Sequence, residues 1–174
     1  MDNFKILISN QEIQSKIKDL AEKLNKIYIN EEVYLVCVLK GSVMFMVDLA
    51  KHLTMPVKME FIRLSSYGSG TTTSGKVNAV DIALPDLNGK NVLIIEDIID
   101  TGHTAKFLVD FMQENFRMKS FKFCSLLDKK AKREVNIDAD YHCFDVEDKF
   151  IVGYGLDLDG KYRNLPYIAY MENV

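Results

Sequence analysis

The 174-residue sequence has no excess of positive charge. Its 22 Lys and Arg stand against 25 Asp and Glu, a formal net charge of −3. A protein whose main task is to coat nucleic acid carries the opposite imbalance, so that class is disfavoured. A small anionic ligand needs only a few placed groups and stays open. Cysteine is scarce and unpatterned. Cys37, Cys124 and Cys143 are odd in number with no C-x-x-C spacing, which argues against a disulfide framework or zinc site and for a reducing compartment. Cys37 lies inside the apolar run 34–39, where a small buried hydrophobe is expected. Long apolar runs are missing too. The start, MDNFKILISN, has no basic segment ahead of an apolar stretch, and no run nears the ~20 residues of a membrane span. These absences predict a cytoplasmic protein with no membrane and no nucleic-acid partner.

What is present is the balance of a globular domain, 48% hydrophobic and 27% charged residues, in a chain long enough for one core. Ser9 or Asn10 can cap a helix whose apolar positions Ile13, Ile17, Leu20, Leu24 and Ile27 recur every three or four residues. The run YLVCVL has the continuous apolarity of a strand buried on both faces. Lys40-Gly41 interrupts it, and Ser42 opens a second helix through Leu53. Val57, Met59 and Phe61 alternate as a strand does. Residues 65–78, SSYGSGTTTSGKVN, have neither period and form a long polar loop of the kind that is a functional lid or disordered. NVLIIED is a second buried strand, 101–116 a third helix with Ala105, Leu108, Val109 and Met112 inward, and FKFCSLL and KFIVGY two further strands. Strand and helix alternate, which predicts an α/β fold with a mainly parallel central sheet flanked by helices. No repeat or linker divides residues 1–174, so a single domain is expected.

The chemistry gathers in residues 92–104, VLIIEDIIDTGHT. A buried strand ends in Glu96 and Asp97. Two apolar residues lead to Asp100, and Thr101, Gly102, His103 and Thr104 stand at a helix start. Ligands of open parallel sheets sit beyond the carboxyl ends of the strands, where this loop must lie. Two hydroxyls, a glycine and the N–H groups of a helix N-terminus suit a phosphate monoester. Carboxylates beside that phosphate would repel it unless they face ribose hydroxyls or hold a cation, and magnesium is the natural one. An acidic strand end before Asp-Thr-Gly also makes an ordinary turn and cap, but the whole run at this spacing favours the ligand.

A hydrophobic strand, two acids, two apolar residues and Asp-Thr-Gly-x-Thr resemble the motif by which type I phosphoribosyltransferases bind phosphoribosyl pyrophosphate (PRPP). Most of the chain resembles one branch of them, the hypoxanthine (hypoxanthine–guanine) phosphoribosyltransferases. The resemblance implies their fold, including a small hood built from terminal segments and a mobile lid loop. It implies transfer of 5-phosphoribosyl from PRPP to hypoxanthine, with guanine as a second base, giving IMP or GMP and pyrophosphate. Mg2+ is the implied cofactor, held by Glu96, Asp97 and Asp157. Leu39-Lys40-Gly41 is similar to the family's pyrophosphate loop, which can carry a non-proline cis peptide at Leu39–Lys40. Ser66-Tyr67 opens the segment similar to its lid, which shields a cationic ribosyl transition state from water. Lys40, Gly41, Ser66, Tyr67, Glu96, Asp97, the 100–104 turn and Arg163 are thereby expected on PRPP or pyrophosphate. Lys129, in SLLDKK, is expected at the purine O6 and N7. In DKFIVGYGLD, Phe150 would stack on the base and the Ile151 backbone would bond its edge, with Ile98 and Asp157 also at the purine. Asp100 is the implied general base for the N7 proton, and His103 fills the variable position of the turn. A homodimer or homotetramer is implied as well.

Two other patterns fail. Residues 70–76, GTTTSGK, fit the first part of a nucleotide-binding P-loop, but Val77 stands where its Ser or Thr is required and Pro85 follows without a helical stripe. Asp157, Asp159 and Gly160 suggest a calcium loop, but Ile168 stands at the twelfth position in place of Glu. A nucleotide-sensing regulator that binds nucleic acid would carry a basic face, which this sequence does not display.

Overall fold

The structure, a computed structural model, describes residues 4–66 and 77–171. Tyr67 and the P-loop-like stretch 70–76 lie outside the described residues, and with them the predicted lid. The elements in chain order are β1 (Phe4–Ile8), α1 (Asn10–Ile27), β2 (Val33–Leu39), α2 (Val43–His52), β3 (Val57–Ser66), β4 (Val77–Asp81), β5 (Asn91–Ile99), α3 (His103–Asn115), β6 (Ser120–Asp128), a 3-10 turn (Lys130–Lys132), β7 (Tyr141–Asp145), β8 (Ile151–Val152) and β9 (Ile168–Met171).

Helix α1 starts where its sequence says it should. The Ser9 hydroxyl accepts the Glu12 N–H, and the Glu12 carboxylate accepts the Ser9 N–H at 2.8 Å, a reciprocal capping box. Ile13, Ile17, Leu20 and Leu24 are buried, while Ile27, the last helical residue, is half exposed. Helix α2 starts differently. Ser42 is fully buried and donates its hydroxyl back to the Val38 carbonyl at 2.5 Å, so it fastens helix to strand rather than capping the helix.

The main sheet runs in the order β4-β3-β2-β5-β6-β7. Every neighbouring pair is parallel except the edge pair β3–β4. The mainly parallel α/β fold expected from the sequence is therefore present. Side chains alternate between the faces of the sheet, as the period of a strand requires. Val33, Leu35, Cys37, Leu93 and Ile95 join the core beneath α1 and α2, and Tyr34, Val36, Val38, Val92 and Ile94 the core beneath α3. Cutting Leu93 to Ala should cost about 3 kcal/mol, because its neighbours on both sides are already packed.

A second, antiparallel sheet in the order β1-β9-β8 joins the two chain ends. It is the hood expected of the terminal segments. KFIVGY contributes less strand than its composition promises: Gly153, Tyr154 and Gly155 take φ of 96°, 50° and 102°, and three successive left-handed residues cannot stay in a ladder. The turn they make drops the hood onto the main sheet. Tyr154, buried, donates its hydroxyl to Asp48 at 2.7 Å, and Asp48 also accepts the Gln14 amide at 2.7 Å. The hood thereby grips α1 and α2 together. No helix among the described residues is long and apolar enough to cross a membrane.

Candidate active site

The carboxyl end of β5 opens into a cavity of about 230 Å³, lined by Glu96 to Gly102 with Thr104 and Ala105. It lies where the sequence placed it, between a buried strand and the start of α3. Glu96 is 8% exposed, and its Oε2 has no hydrogen-bond partner among the described residues. Burial pushes the Glu96 carboxyl well above the usual range, and the neighbouring Asp97 carboxylate adds to the shift. Asp97 is also raised by burial, opposed by hydrogen bonds that include the Ile98 N–H at 2.8 Å. Two acids crowded without a cation are costly. They suit a divalent ion or ribose hydroxyls, and on this geometry Glu96 and Asp97 fit magnesium.

Beside them stands the 39–41 loop, with its cis peptide at Leu39–Lys40. Lys40 is exposed and Gly41 buried. A Cβ on Gly41 would overlap the Asp97 carboxylate, and one on Gly155 would overlap the Gly41 carbonyl. Glycine is required at both positions because the loop is pressed between the acidic strand end and the hood.

Beyond Asp100, Gly102 takes φ 93° and turns the chain into α3. The first N–H groups of a helix have no intrahelical acceptor, and α3 has no acid in its first turn, so this end favours an anion. Of the predicted PRPP residues in this turn, Thr101, Gly102 and Thr104 line the cavity and His103 does not. The His103 Nε2 lies 2.8 Å from Glu134 Oε2, directed away from the cavity.

Lys129, which follows β6 and is not part of the cavity lining, is 6% exposed. Its ammonium donates to the Lys149 carbonyl at 3.0 Å and stands 3.9 Å from Asp100 Oδ2 and 3.8 Å from Asp148 Oδ1. Asp100 Oδ1 is buried without a partner among the described residues. The predicted base and the predicted purine lysine are thus brought face to face. Phe150, next to Lys149, is 45% exposed, an aromatic face available for stacking, and Ile151 is buried in β8. Ile98 is half-buried in the cavity wall.

Arg163 and Asp157 meet each other. Arg163 contacts Asp157 Oδ1 at 2.5 Å and donates to the Gly155 carbonyl at 2.5 Å, while Asp157 Oδ2 accepts the Gly160 N–H at 2.7 Å. Both Asp157 oxygens are therefore hydrogen-bonded, one of them to a cation, so Arg163 would compete with a metal there. Ser66 ends β3, paired with Val77.

Two supports escaped the sequence reading. One is the Tyr154–Asp48–Gln14 bracket beneath the hood. The other is the segment 133–137, packed behind the 100–102 turn: Arg133 Nε donates to the Asp100 carbonyl at 3.2 Å, and the Glu134 N–H to the Thr101 carbonyl at 2.9 Å. In KKAKREVNIDAD, Arg133 looks like one more solvated charge, and no local signal separates it from its neighbours.

Residues 5–159 match the family model described as the phosphoribosyl transferase domain. Over 168 residues the chain is 46% identical to the hypoxanthine-guanine phosphoribosyltransferase of Streptococcus thermophilus, covering 97% of this chain and 93% of that protein. A solved hypoxanthine-guanine phosphoribosyltransferase from Bacillus anthracis superposes with a TM-score of 0.91 at 43% identity, covering 98% of this chain and 99% of that one. A hypoxanthine phosphoribosyltransferase from Staphylococcus aureus does so at 0.90 and 38%, covering 97% and 91%.

Proposed function

The chain belongs to the phosphoribosyl transferase family, and on that premise we infer that the cavity at the end of β5 is where a purine meets PRPP. The activity is purine salvage: the 5-phosphoribosyl group of PRPP passes to hypoxanthine, giving IMP and pyrophosphate. Guanine, which gives GMP, is the second base. The observation that carries the site assignment is the pair of orphaned carboxylate oxygens, on Glu96 and Asp100, in a cavity that also holds the anion-ready start of α3. Buried carboxylate oxygens left without partners beside a phosphate turn suit a sugar phosphate that arrives with a metal.

Position and the family resemblance support the following roles. The backbone of 101–104 and the two threonine hydroxyls hold the 5-phosphate. Glu96 and Asp97 face the ribose hydroxyls and would hold Mg2+, which when bound supplies positive charge to the departing pyrophosphate. The Lys40-Gly41 backbone and Arg163 receive that pyrophosphate, and Arg163 leaves Asp157 to do so. Phe150 stacks on the base, whose edge meets Ile151 backbone and Ile98. The Lys129 ammonium donates to O6 of a six-oxo purine, and to N7 once that nitrogen has given up its proton, and disfavours the amino group of adenine at the same place. The bond from ribose C1 to pyrophosphate oxygen breaks as the bond to the purine nitrogen forms, and Asp100 takes the N7 proton. Its carboxylate also favours the cationic sugar. Ser66 and Tyr67 open the segment proposed as the lid.

We further propose that residues 1–174 act as one catalytic unit, assembled as a homodimer or homotetramer in the cytoplasm. The exposed Met44 and Val47 of α2 and the exposed Met59 and Phe61 of β3 supply apolar surface for that assembly, and three free cysteines fit a reducing compartment. The test is pyrophosphate release from PRPP with hypoxanthine, guanine, xanthine or adenine, each with and without magnesium. Release should need the metal and a six-oxo base. A preference for adenine would remove Lys129 from its role, and no release with any base would remove the assignment.

A further inference from the structure

Transfer needs Asp100 and the phosphate turn held in fixed register against Lys129, since about an ångström of misplacement can cost ~100-fold in rate. Strand β5 and helix α3 enter and leave the turn without bracing it from behind. The brace comes from the segment after the 3-10 turn. The Arg133 side chain is 13% exposed, and each edge of its guanidinium has its own partner. Nε donates to the Asp100 carbonyl at 3.2 Å, one terminal nitrogen donates to the Ile137 carbonyl, and the other pairs with Asp128, whose side chain is 1% exposed. The next two residues hold the next carbonyl: the Glu134 and Val135 N–H groups donate to Thr101 at 2.9 and 3.2 Å. Contact is close enough that a Cβ on Gly102 would lie 2.9 Å from Arg133 Cδ.

We propose that Arg133 is a positioning residue for the transfer. Asp128 precedes Lys129 directly in the chain, so the buried pair anchors the guanidinium at the residue beside the purine lysine. From there the same planar group reaches the carbonyl of the general base. Arg133 thus sets the separation between the base side of the site and its ribose side. A lysine keeps the charge for Asp128 but has no fork to hold three partners in three directions. The inference rests on the roles given above to Asp100 and Lys129.

The test uses the full chain, with PRPP, hypoxanthine and magnesium, and reads kcat, both KM values, Tm and the fraction of active sites. Arg133→Lys should lower kcat about tenfold and raise KM for PRPP severalfold, while KM for hypoxanthine stays within about twofold, because Lys129 and Phe150 do not move. Should the lone charge left by an imperfect pair unfold that variant, Asp128→Leu with Arg133→Met replaces the pair by apolar groups of similar volume, an exchange that is often neutral for stability. The folded double variant should show the same drop in kcat. Undiminished kcat and KM in either folded variant would overturn the proposal, as would a loss confined to the fraction of active sites. Wild-type protein that releases no pyrophosphate would strike the site assignment itself, a result separate from either.

Discussion

Two groups of acids sit at the carboxyl ends of neighbouring strands, in opposite circumstances. At the end of β5, Glu96, Asp97 and Asp100 line a cavity; Lys129 stands 3.9 Å from Asp100, yet one oxygen of Glu96 and one of Asp100 are buried with no partner among the described residues. On β6 and β7, Asp128 and Asp145 stand with His142, their ligand atoms within 4.8 Å of one another. By proximity alone the second group looks the better metal site. Its charge, however, is already answered: Arg133 pairs with Asp128, and Lys130 lies 3.2 Å from Asp145 and 4.0 Å from Asp128. The difference teaches where function lies. Carboxylates that bring their own cations hold the fold together. Carboxylate oxygens buried without partners are, on the proposed function, a place kept for something that arrives with the substrate.

The largest effect should come from Asp100, the proposed base. Asp100→Asn should lower kcat by about 10²–10⁴-fold, the usual worth of general acid–base help, while PRPP binding measured by calorimetry stays close to wild type. Wild-type turnover would take Asp100 out of the proton transfer. Next comes the satisfied group. Asp128→Asn leaves Arg133 without its buried counter-charge and should destabilise the chain by about 3–5 kcal/mol in urea unfolding; a stability loss under about 1 kcal/mol would make the two groups alike.

Neutralising an orphan should act with the opposite sign. Glu96 titrates above its ordinary range in the folded chain, so folded protein binds more protons than unfolded protein between the ordinary carboxyl range and its own. Stability of the ligand-free protein from this group is therefore greatest below the unfolded pKa and is lost as pH rises through the folded one. Glu96→Gln should abolish that loss and raise the ligand-free Tm at neutral pH by about 2–4 °C, the shift given by ~1 kcal/mol in a chain of this size. The same variant should need more magnesium and PRPP for half-maximal rate. A lower Tm with an unchanged magnesium titration would show that Glu96 is an ordinary structural acid. The smallest effect belongs to His103, which faces Glu134: His103→Ala should change KM for PRPP by less than about twofold, and a larger rise in a kinetic assay would place its side chain on the phosphate.

The β5 side of this contrast was legible in the sequence. The run 92–104 announces itself because a buried strand, two acids and a helix start are all local patterns, and local patterns can be read in order. The alternating sheet faces and the Ser9–Glu12 box were legible for the same reason. What escaped depends on segments far apart in the chain. Arg133 gains meaning only when Asp128, Asp100 and Ile137 surround it, and Tyr154 only when Asp48 and Gln14 do. The occupied state of Asp157 was equally hidden, since nothing in LDLDGKYR says that Arg163 folds back onto it. KFIVGY misled in the other direction: its apolar, β-prone composition outweighed two glycines that turn the backbone left-handed.

The contrast between the two acid groups can be put to one direct measurement. Crystals grown with PRPP and manganese in place of magnesium would reveal the ion by its anomalous scattering. The account predicts a peak beside Glu96 and Asp97, with phosphate density on the 101–104 turn. A peak among Asp128, His142 and Asp145, or a turn without phosphate, would contradict it.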